Sequence, residues 1–407
     1  MDKAQSIFLY NHTFNYPQKI FILSYPILWK WRKIMNPLRT ITNMYVTKKE
    51  PLSIVHFVTN VCNARCKHCF IDFDHPDIFK GQLTLEEIKK LTKSLGKSLI
   101  NVNLTGGEPL LRNDFFEIIE AYFTNTPIKS IYITSNGMYT ELTKKLLDKF
   151  IASRIKGKII FSFSIDGIGE DHDKIRKVKG LYTNVIRTYR MVQGYGRKNI
   201  DAKIGITVTD QNYDKVVRVY RHLRDKIEIK GITAGIMREE GVVKRIDPEV
   251  KKKIHEGYTK LIAEIHSDLL SGKMEGYKRD LQGRLINAKN LIVNNVQVNT
   301  YLNPHYVSHC PAAALFGVIG AKGEVYPCEI LDKKLGNLRD YGMDFMKLWN
   351  NQKCKEVKKF IKDTNCNCSY ECAWSINVIS NKKYIPGLII NSLKQKAVQH
   401  DSNNVLQ

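Results

Sequence analysis

Residues 53–70 read SIVHFVTNVCNARCKHCF, an apolar, β-branched run followed directly by a cysteine-rich loop. The run at 53–59 is typical of a buried β-strand. The loop then places three cysteines within eight positions, namely Cys62, Cys66 and Cys69. Thiolates bind soft metals, so three of them on one short loop can face a single metal centre.

The loop lacks a clear fourth ligand. A closed tetrahedral zinc site would need one. His68 is a candidate, but it adjoins Cys69, and a residue next to a ligand usually points elsewhere. A [4Fe–4S] cluster held by three cysteines instead leaves one iron open to an exogenous ligand, which is a feature of catalytic sites.

Beyond this loop, β-rich runs alternate with helical patterns. The strand candidates are 53–59, 101–105, 130–135, 159–165, 202–208 and 231–237. The helix candidates include one with a capping box of Thr84 and Glu87, and others near 113–124, 140–151, 183–193 and 211–225. Six such units predict an α/β fold, a partial (β/α)6 TIM-like barrel. Its chemistry would lie at the C-terminal ends of the strands.

Three further segments follow predicted strands. Thr105–Pro109 reads TGGEP, in which Gly106 and Gly107 would let the backbone approach a ligand and Glu108 could accept from an ammonium group. Alone, this segment could be a plain turn. The other two segments are Ser135-Asn136-Gly137 and Ser164-Ile165-Asp166-Gly167.

The Cys-x3-Cys-x2-Cys loop resembles the signature of the radical S-adenosylmethionine (SAM) enzymes, and TGGEP resembles the family's GGE motif. The resemblance implies a [4Fe–4S] cluster on the loop cysteines, whose open iron binds SAM. The reduced cluster would cleave SAM, and the resulting 5′-deoxyadenosyl radical would abstract a substrate hydrogen. An external electron donor such as flavodoxin or ferredoxin is also implied.

The resemblance also implies site residues on the other strand ends. Gly106, Gly107, Glu108 and Pro109 would bind SAM. Ser135, Asn136, Ser164 and Asp166 would lie near the SAM ribose and the substrate. The alternative is that Asn-Gly and Asp-Gly in these segments are only turn residues. We expect Arg176 and Asn212 to be structural.

The remaining six of the nine cysteines fall within residues 310–372. Their pattern resembles the SPASM or twitch extension of part of the superfamily, which holds auxiliary iron–sulfur clusters. Cys354 is expected to be a packed thiol. We predict one auxiliary [4Fe–4S] cluster, held by Cys310, Cys328 and Cys372 with either Cys366 or Cys368. A structural zinc ion is the alternative, because four thiolates would also close a tetrahedral site.

Composition narrows the function classes. The net charge of +24 suits an anionic partner, but no RNA-binding signature or long basic run accompanies it, so nucleic acid is not expected. No signal peptide is evident, which favours a cytoplasmic protein. The apolar run at 20–29 is too short to span a bilayer. With the basic, aromatic cluster at 29–33 it could contact a membrane surface, or it could pack on the core.

These patterns divide the chain into an N-terminal extension (1–50), a barrel (51–240), a helical bridge (241–305) and an auxiliary cluster domain (306–407). The predicted function is a radical SAM oxidoreductase or modifying enzyme acting on a peptide or protein. A small-molecule or cofactor-precursor substrate is the alternative within this class. A non-catalytic iron–sulfur electron-transfer protein is the alternative outside it, but such a protein would need neither TGGEP nor an open ligand position.

Overall fold

The computed structural model describes residues 36–240, 243, 245–277 and 280–396. The predicted membrane-contact segment at 20–33 therefore lies outside the described residues. Contacts join the described residues into one compact unit. The region boundaries expected near residues 240 and 305 remain predictions.

Six parallel strands carry the first part of the fold, and they confirm the predicted partial barrel. Strand β1 is buried along its whole length because it lies between two neighbouring strands and is covered on both faces. The strands are β1 (Ser53–Thr59), β2 (Asn101–Gly106), β3 (Ser130–Ser135), β4 (Lys158–Ser164), β5 (Ile200–Val208) and β6 (Ile232–Ile236).

Helices lie between and after these strands. The predicted capping box begins α2: the Thr84 hydroxyl accepts from the Glu87 amide at 3.3 Å, and the Glu87 carboxylate accepts from the Thr84 amide at 2.8 Å. The helices of the barrel half are α1 (Pro37–Thr42), α2 (Leu85–Lys93), α3 (Phe115–Asn125), α4 (Thr140–Ala152), α5 (Glu170–Arg176), α6 (Leu181–Gly194) and α7 (Val216–Asp225). A π-helical turn (Asn43–Thr47) and a 3₁₀ turn (Pro109–Leu111) complete this half.

Two long helices lie in the region predicted as a bridge, α8 (Pro248–Ser271) and α9 (Leu281–Thr300). The Tyr220 hydroxyl of α7 donates to Asp268 of α8 at 2.8 Å, and this hydrogen bond joins α8 to the barrel.

The C-terminal helices are α10 (Phe345–Trp349), α11 (Gln352–Asp363), α12 (Glu371–Ser380) and α13 (Ile385–Leu393), with 3₁₀ turns at Leu338–Tyr341 and Lys382–Tyr384.

The C-terminal region also extends the barrel sheet. Strand β7 (Phe316–Ile319) pairs in parallel with β1, and β8 (Glu324–Tyr326) and β9 (Gly336–Asn337) follow antiparallel. The sheet therefore runs β6-β5-β4-β3-β2-β1-β7-β8-β9. This pairing brings the second cysteine region alongside the strand that leads into the first. No helix among the described residues combines the length and apolarity needed to cross a membrane.

Candidate active site

The three-cysteine loop leaves β1 at the C-terminal edge of the sheet. All three thiols are free and half-buried. The Cys69 amide donates to the Cys66 carbonyl at 3.1 Å, which closes a turn between these two residues. The pKa of Cys62 is raised to about 11, mainly by burial and in smaller part by Cys66 and Cys69, so the three sulfurs lie within electrostatic reach of one another.

The two glycines of TGGEP press against this loop. The Gly107 amide donates to the Thr59 carbonyl and the Glu108 amide donates to the Val61 carbonyl, both at 2.8 Å. A Cβ atom at Gly106 would lie 2.0 Å from the Thr59 oxygen, and one at Gly107 would lie 2.2 Å from the Val61 oxygen. Gly106 also has a φ of +136°. The glycines therefore permit a close approach to the cysteine loop, whereas the sequence suggested an approach to a ligand.

Glu108 connects the ends of β2 and β3. Its side chain is fully buried and accepts from the Ser135 hydroxyl (2.9 Å), the Asn136 amide (2.8 Å) and the Leu110 amide (3.2 Å). Pro109 is buried at the start of the following 3₁₀ turn. Burial raises the pKa of Glu108 to about 7. The carboxylate in turn raises the pKa of Cys62, so it faces the cysteine loop.

Asn136 gives a second link from β3 to the loop. Its side-chain amide donates to the Asn63 side-chain oxygen at 2.8 Å, and Asn63 follows Cys62 directly. Sequence reasoning singled out Asn136 but missed Asn63, because one asparagine within a loop carries no recognisable signal.

Beyond β4, Asp166 and Arg176 form a buried ion pair beside the loop. The Asp166 carboxylate is fully buried and lies 2.6 Å from Arg176 Nη2. Arg176 Nη1 lies 3.9 Å from the Cys66 sulfur, and the Arg176 carbonyl accepts from the Arg65 amide at 3.3 Å. Burial alone would raise the pKa of Asp166, but the guanidinium lowers it below the ordinary value.

Ser164 and Asn212, the other candidates near β4, contact β5 and Asp166. Ser164 is half-buried and pairs with Gly205 of β5. Asn212 donates to the Asp166 carbonyl at 2.9 Å, which agrees with its expected structural role. Arg176 was also expected to be structural, and its approach to Cys66 is the contact that sequence reasoning missed.

His68 faces Asp166. Its Nε2 atom lies 3.8 Å from Asp166 Oδ2, and its buried Nδ1 atom has no hydrogen-bond partner within the described part of the chain. Burial lowers the pKa of His68 to about 4, so the ring is neutral at physiological pH. The loop thus offers three thiols without a neighbouring fourth ligand, and this donor set fits a [4Fe–4S] cluster with one open iron.

A second thiol group lies in the C-terminal region. The group has four thiols, which form six pairs. In each pair the charge of one thiolate raises the pKa of the other thiol, in addition to the effect of burial. The pKa of Cys328 reaches about 11 and that of Cys368 about 12. The four members are Cys310, Cys328, Cys366 and Cys368.

This grouping differs from the predicted ligand set, which used Cys372 and only one of Cys366 and Cys368. The charged groups that most affect Cys372 are Glu371 and Glu329, which add to the effect of burial in raising its pKa. The reason is local: Cys366 and Cys368 lie in the non-helical segment before α12, whereas Cys372 is already in the first turn of that helix. Cys354 is fully buried in α11, as expected for a packed thiol.

Arg238 joins the barrel edge to this second group. It follows β6, donates to Glu329 at 3.0 Å and stacks on the Tyr370 ring at 4.6 Å. Glu329 follows Cys328 directly, so Arg238 contacts the loops of the second thiol group. Its Nη1 atom is buried without a hydrogen-bond partner among the residues that the structure describes.

Neither group resembles a single-ion site. Within the described ranges, no three His, Cys, Asp or Glu side chains lie close enough together to hold one metal ion. A four-iron cluster binds its thiolates at separate iron atoms. The donor sets of three and four thiols therefore suit iron–sulfur clusters.

Comparison with known families agrees with both sites. Residues 57–223 match the model of the Radical SAM superfamily, and residues 310–373 match that of an iron–sulfur cluster-binding domain, SPASM. Among curated proteins, an AdoMet-dependent heme synthase from Methanosarcina barkeri is 25% identical over 329 residues, which are 79% of this chain and 87% of that protein.

Solved structures share the fold. The anSMEcpe enzyme with bound AdoMet and the Kp18Cys peptide has a TM-score of 0.56 and 20% identity, covering 84% of this chain and 99% of that one. Streptococcus suis SuiB bound to its precursor peptide SuiA has a TM-score of 0.53 and 17% identity, covering 82% of this chain and 74% of that one. These likenesses confirm the predicted fold class.

Proposed function

Because this chain is a member of the radical SAM superfamily with a C-terminal iron–sulfur cluster-binding domain, we propose that it abstracts a hydrogen atom from a peptide or protein substrate. The first domain implies a [4Fe–4S] cluster and SAM, and the second implies auxiliary iron–sulfur chemistry. When bound, these groups supply the electron that cleaves SAM and the radical that takes the substrate hydrogen.

One observation carries the proposal: residues from the ends of β2, β3 and β4 converge on a single loop with three thiols. We assign Cys62, Cys66 and Cys69 as the ligands of the SAM-binding cluster. Glu108 accepts three hydrogen bonds, and a carboxylate has about four acceptor positions, so one position is left for the SAM amino group.

In this proposal, most of the other predicted residues position Glu108 and the cysteine loop. Gly106, Gly107 and Pro109 let Glu108 sit beside Cys62, while Ser135 and Asn136 hold the carboxylate and Asn63. Asp166 positions Arg176, whose guanidinium faces Cys66. Ser164, at the end of β4, is left to contact the SAM ribose or the substrate.

The second thiol group is proposed to hold one auxiliary [4Fe–4S] cluster. Cys310, Cys328, Cys366 and Cys368 would supply all four thiolates, which leaves no iron open. A closed cluster cannot bind substrate through iron, so we assign it to electron transfer from the substrate radical. Arg238 would line the space between the two sites.

The peptide class is supported by the shared fold with anSMEcpe and SuiB, both of which were solved with peptides. A small molecule or cofactor precursor is the second candidate, and the likeness to the heme synthase favours it. The non-catalytic alternative leaves the Glu108 site without a purpose, because electron transfer needs no group beside an open iron.

The reaction needs an external one-electron donor such as flavodoxin or ferredoxin, and we place it in the cytoplasm. Membrane contact by residues 20–33 remains a prediction.

Deuterium transfer distinguishes the substrate classes. The anaerobically reconstituted protein would be given SAM, dithionite and extract from cells grown on deuterated medium, split into protein, peptide and small-molecule fractions. If 5′-deoxyadenosine becomes deuterated when the protein or peptide fraction is added, the proposal is supported. If it becomes deuterated only when the small-molecule fraction is added, the second candidate is supported. Deuterium with no fraction contradicts hydrogen abstraction. Cys62→Ala serves as the inactive control.

A further inference from the structure

Helix α13 exposes four of its aliphatic side chains, whereas Leu388 packs against a buried cluster that includes Trp374. Ile389 and Ile390 are each 50% exposed, and Leu393 is 74% exposed, whereas the one fully buried side chain of the helix is Ser392. Exposing aliphatic surface to water is unfavourable, and a contiguous exposed apolar patch marks an interaction site. The exposed aliphatic face of α13 therefore calls for a partner.

The exposed surface continues onto the start of α9. The Gln395 side-chain amide donates to the Arg284 carbonyl at 2.9 Å, and Asn287 donates to the Gln395 side-chain oxygen at 3.1 Å. Two exposed leucines lie on these first turns of α9. We call the combined surface the α9–α13 patch: Leu281, Leu285, Ile385, Ile389, Ile390 and Leu393.

Lysines flank the α9–α13 patch on the chain. Lys382 and Lys383 precede α13, and Lys394 and Lys396 follow it, all with exposed side chains. The sequence has no Asp or Glu between Cys372 and His400, and on the α9 side the exposed Asp280 precedes Leu281. Aliphatic side chains flanked by cations are the combination that binds anionic lipid interfaces.

We propose that the α9–α13 patch docks on an anionic membrane surface, with its aliphatic side chains in the interface and the lysines at the headgroups. Charge decides against two other occupants. A second copy of the chain would bring the same lysines and a net charge of +24. Residues 29–33 would bring Lys30, Arg32 and Lys33. This inference is independent of the proposed reaction.

Vesicle co-sedimentation of the full chain tests the proposal. We expect the protein to sediment with phosphatidylcholine vesicles that contain phosphatidylglycerol and to bind pure phosphatidylcholine at least about tenfold more weakly. Leu393→Glu should weaken binding by about tenfold or more, because it places a charge in the interface. Leu142→Glu, at a 38%-exposed position on α4, is the control and should bind like the wild type.

Three results would overturn the proposal. The first is that the wild type sediments with neither vesicle. The second is that Leu393→Glu and the wild type bind equally. The third is that size-exclusion chromatography finds a dimer that Leu393→Glu dissolves, which would assign the patch to a second copy. Circular dichroism should show unchanged folding, because the Leu393 side chain is in solvent.

Discussion

The guanidinium of Arg176 lies 3.9 Å from the sulfur of Cys66, and a buried carboxylate, Asp166, holds the same guanidinium at 2.6 Å. Burial raises the pKa of Cys66, and the Arg176 charge acts against this rise. One arginine at the end of α5 therefore couples the end of β4 to the cysteine loop, and it favours the thiolate that a metal would bind.

Arg176→Gln should destabilise the fold by about 3 kcal/mol or more, because it leaves the Asp166 charge buried without its partner. Urea unfolding measures this loss. The double variant Asp166→Asn with Arg176→Gln removes both charges and should recover most of it. An additive loss in the double variant would show that the pair does not act as a unit.

Gly107→Ala should displace the cysteine loop, because its Cβ would lie 2.2 Å from the Val61 carbonyl oxygen. We expect a loss of about 1–3 kcal/mol in urea unfolding and a lower iron content after reconstitution. Gly235→Ala in β6 is the matched control, since nothing lies within 4 Å of its Cβ. Equal stability and iron content in the two variants would be inconsistent with this role of Gly107.

Glu108 should make stability depend on pH. Burial raises its pKa from 4.5 to about 7, so the folded chain holds the proton more tightly than the unfolded chain. The resulting stabilisation, about 3 kcal/mol, is complete below about pH 4.5 and is lost as the pH rises through 7.

Urea unfolding of the cluster-free wild type and Glu108→Gln at pH 5 and pH 8 isolates this contribution. The wild type should lose stability relative to the variant as the pH rises. A constant difference between the two proteins would mean that Glu108 does not titrate in this range.

The auxiliary ligand set can be tested by counting iron. Cys366→Ala and Cys368→Ala should each lose about four iron atoms per reconstituted chain, because each removes a thiol of the four-thiol group. Cys372→Ala and the packed-thiol control Cys354→Ala should keep the full iron content. Loss of iron in Cys372→Ala, with no loss in one of the first two variants, would restore the ligand set expected from sequence.

Sequence patterns predicted the barrel closely. The β-branched runs gave the bounds of β1 and β3 to the residue, and the Thr84–Glu87 capping box begins α2 as expected. These features depend on local chemistry, namely strand propensity and helix capping. The pairing of β7 with β1 was not predicted, because a four-residue strand carries no information about its partner.

The site was predicted less completely, because several of its contacts join residues that are far apart in sequence. The motif Glu108 could be recognised from its spacing, but Asn63 and Arg176 act through partners distant in sequence, Asn136 and Cys66. The difference between the predicted auxiliary ligand set and the four-thiol group has a similar cause: spacing alone does not reveal that α12 begins between Cys368 and Cys372.

The central claim, that the three-cysteine loop supports cleavage of SAM, is tested most directly by 5′-deoxyadenosine formation in the anaerobically reconstituted protein. We expect dithionite-dependent formation by the wild type and by Cys354→Ala, and its loss in Cys62→Ala, Cys66→Ala and Cys69→Ala. Formation that persists unchanged in those three variants would contradict it.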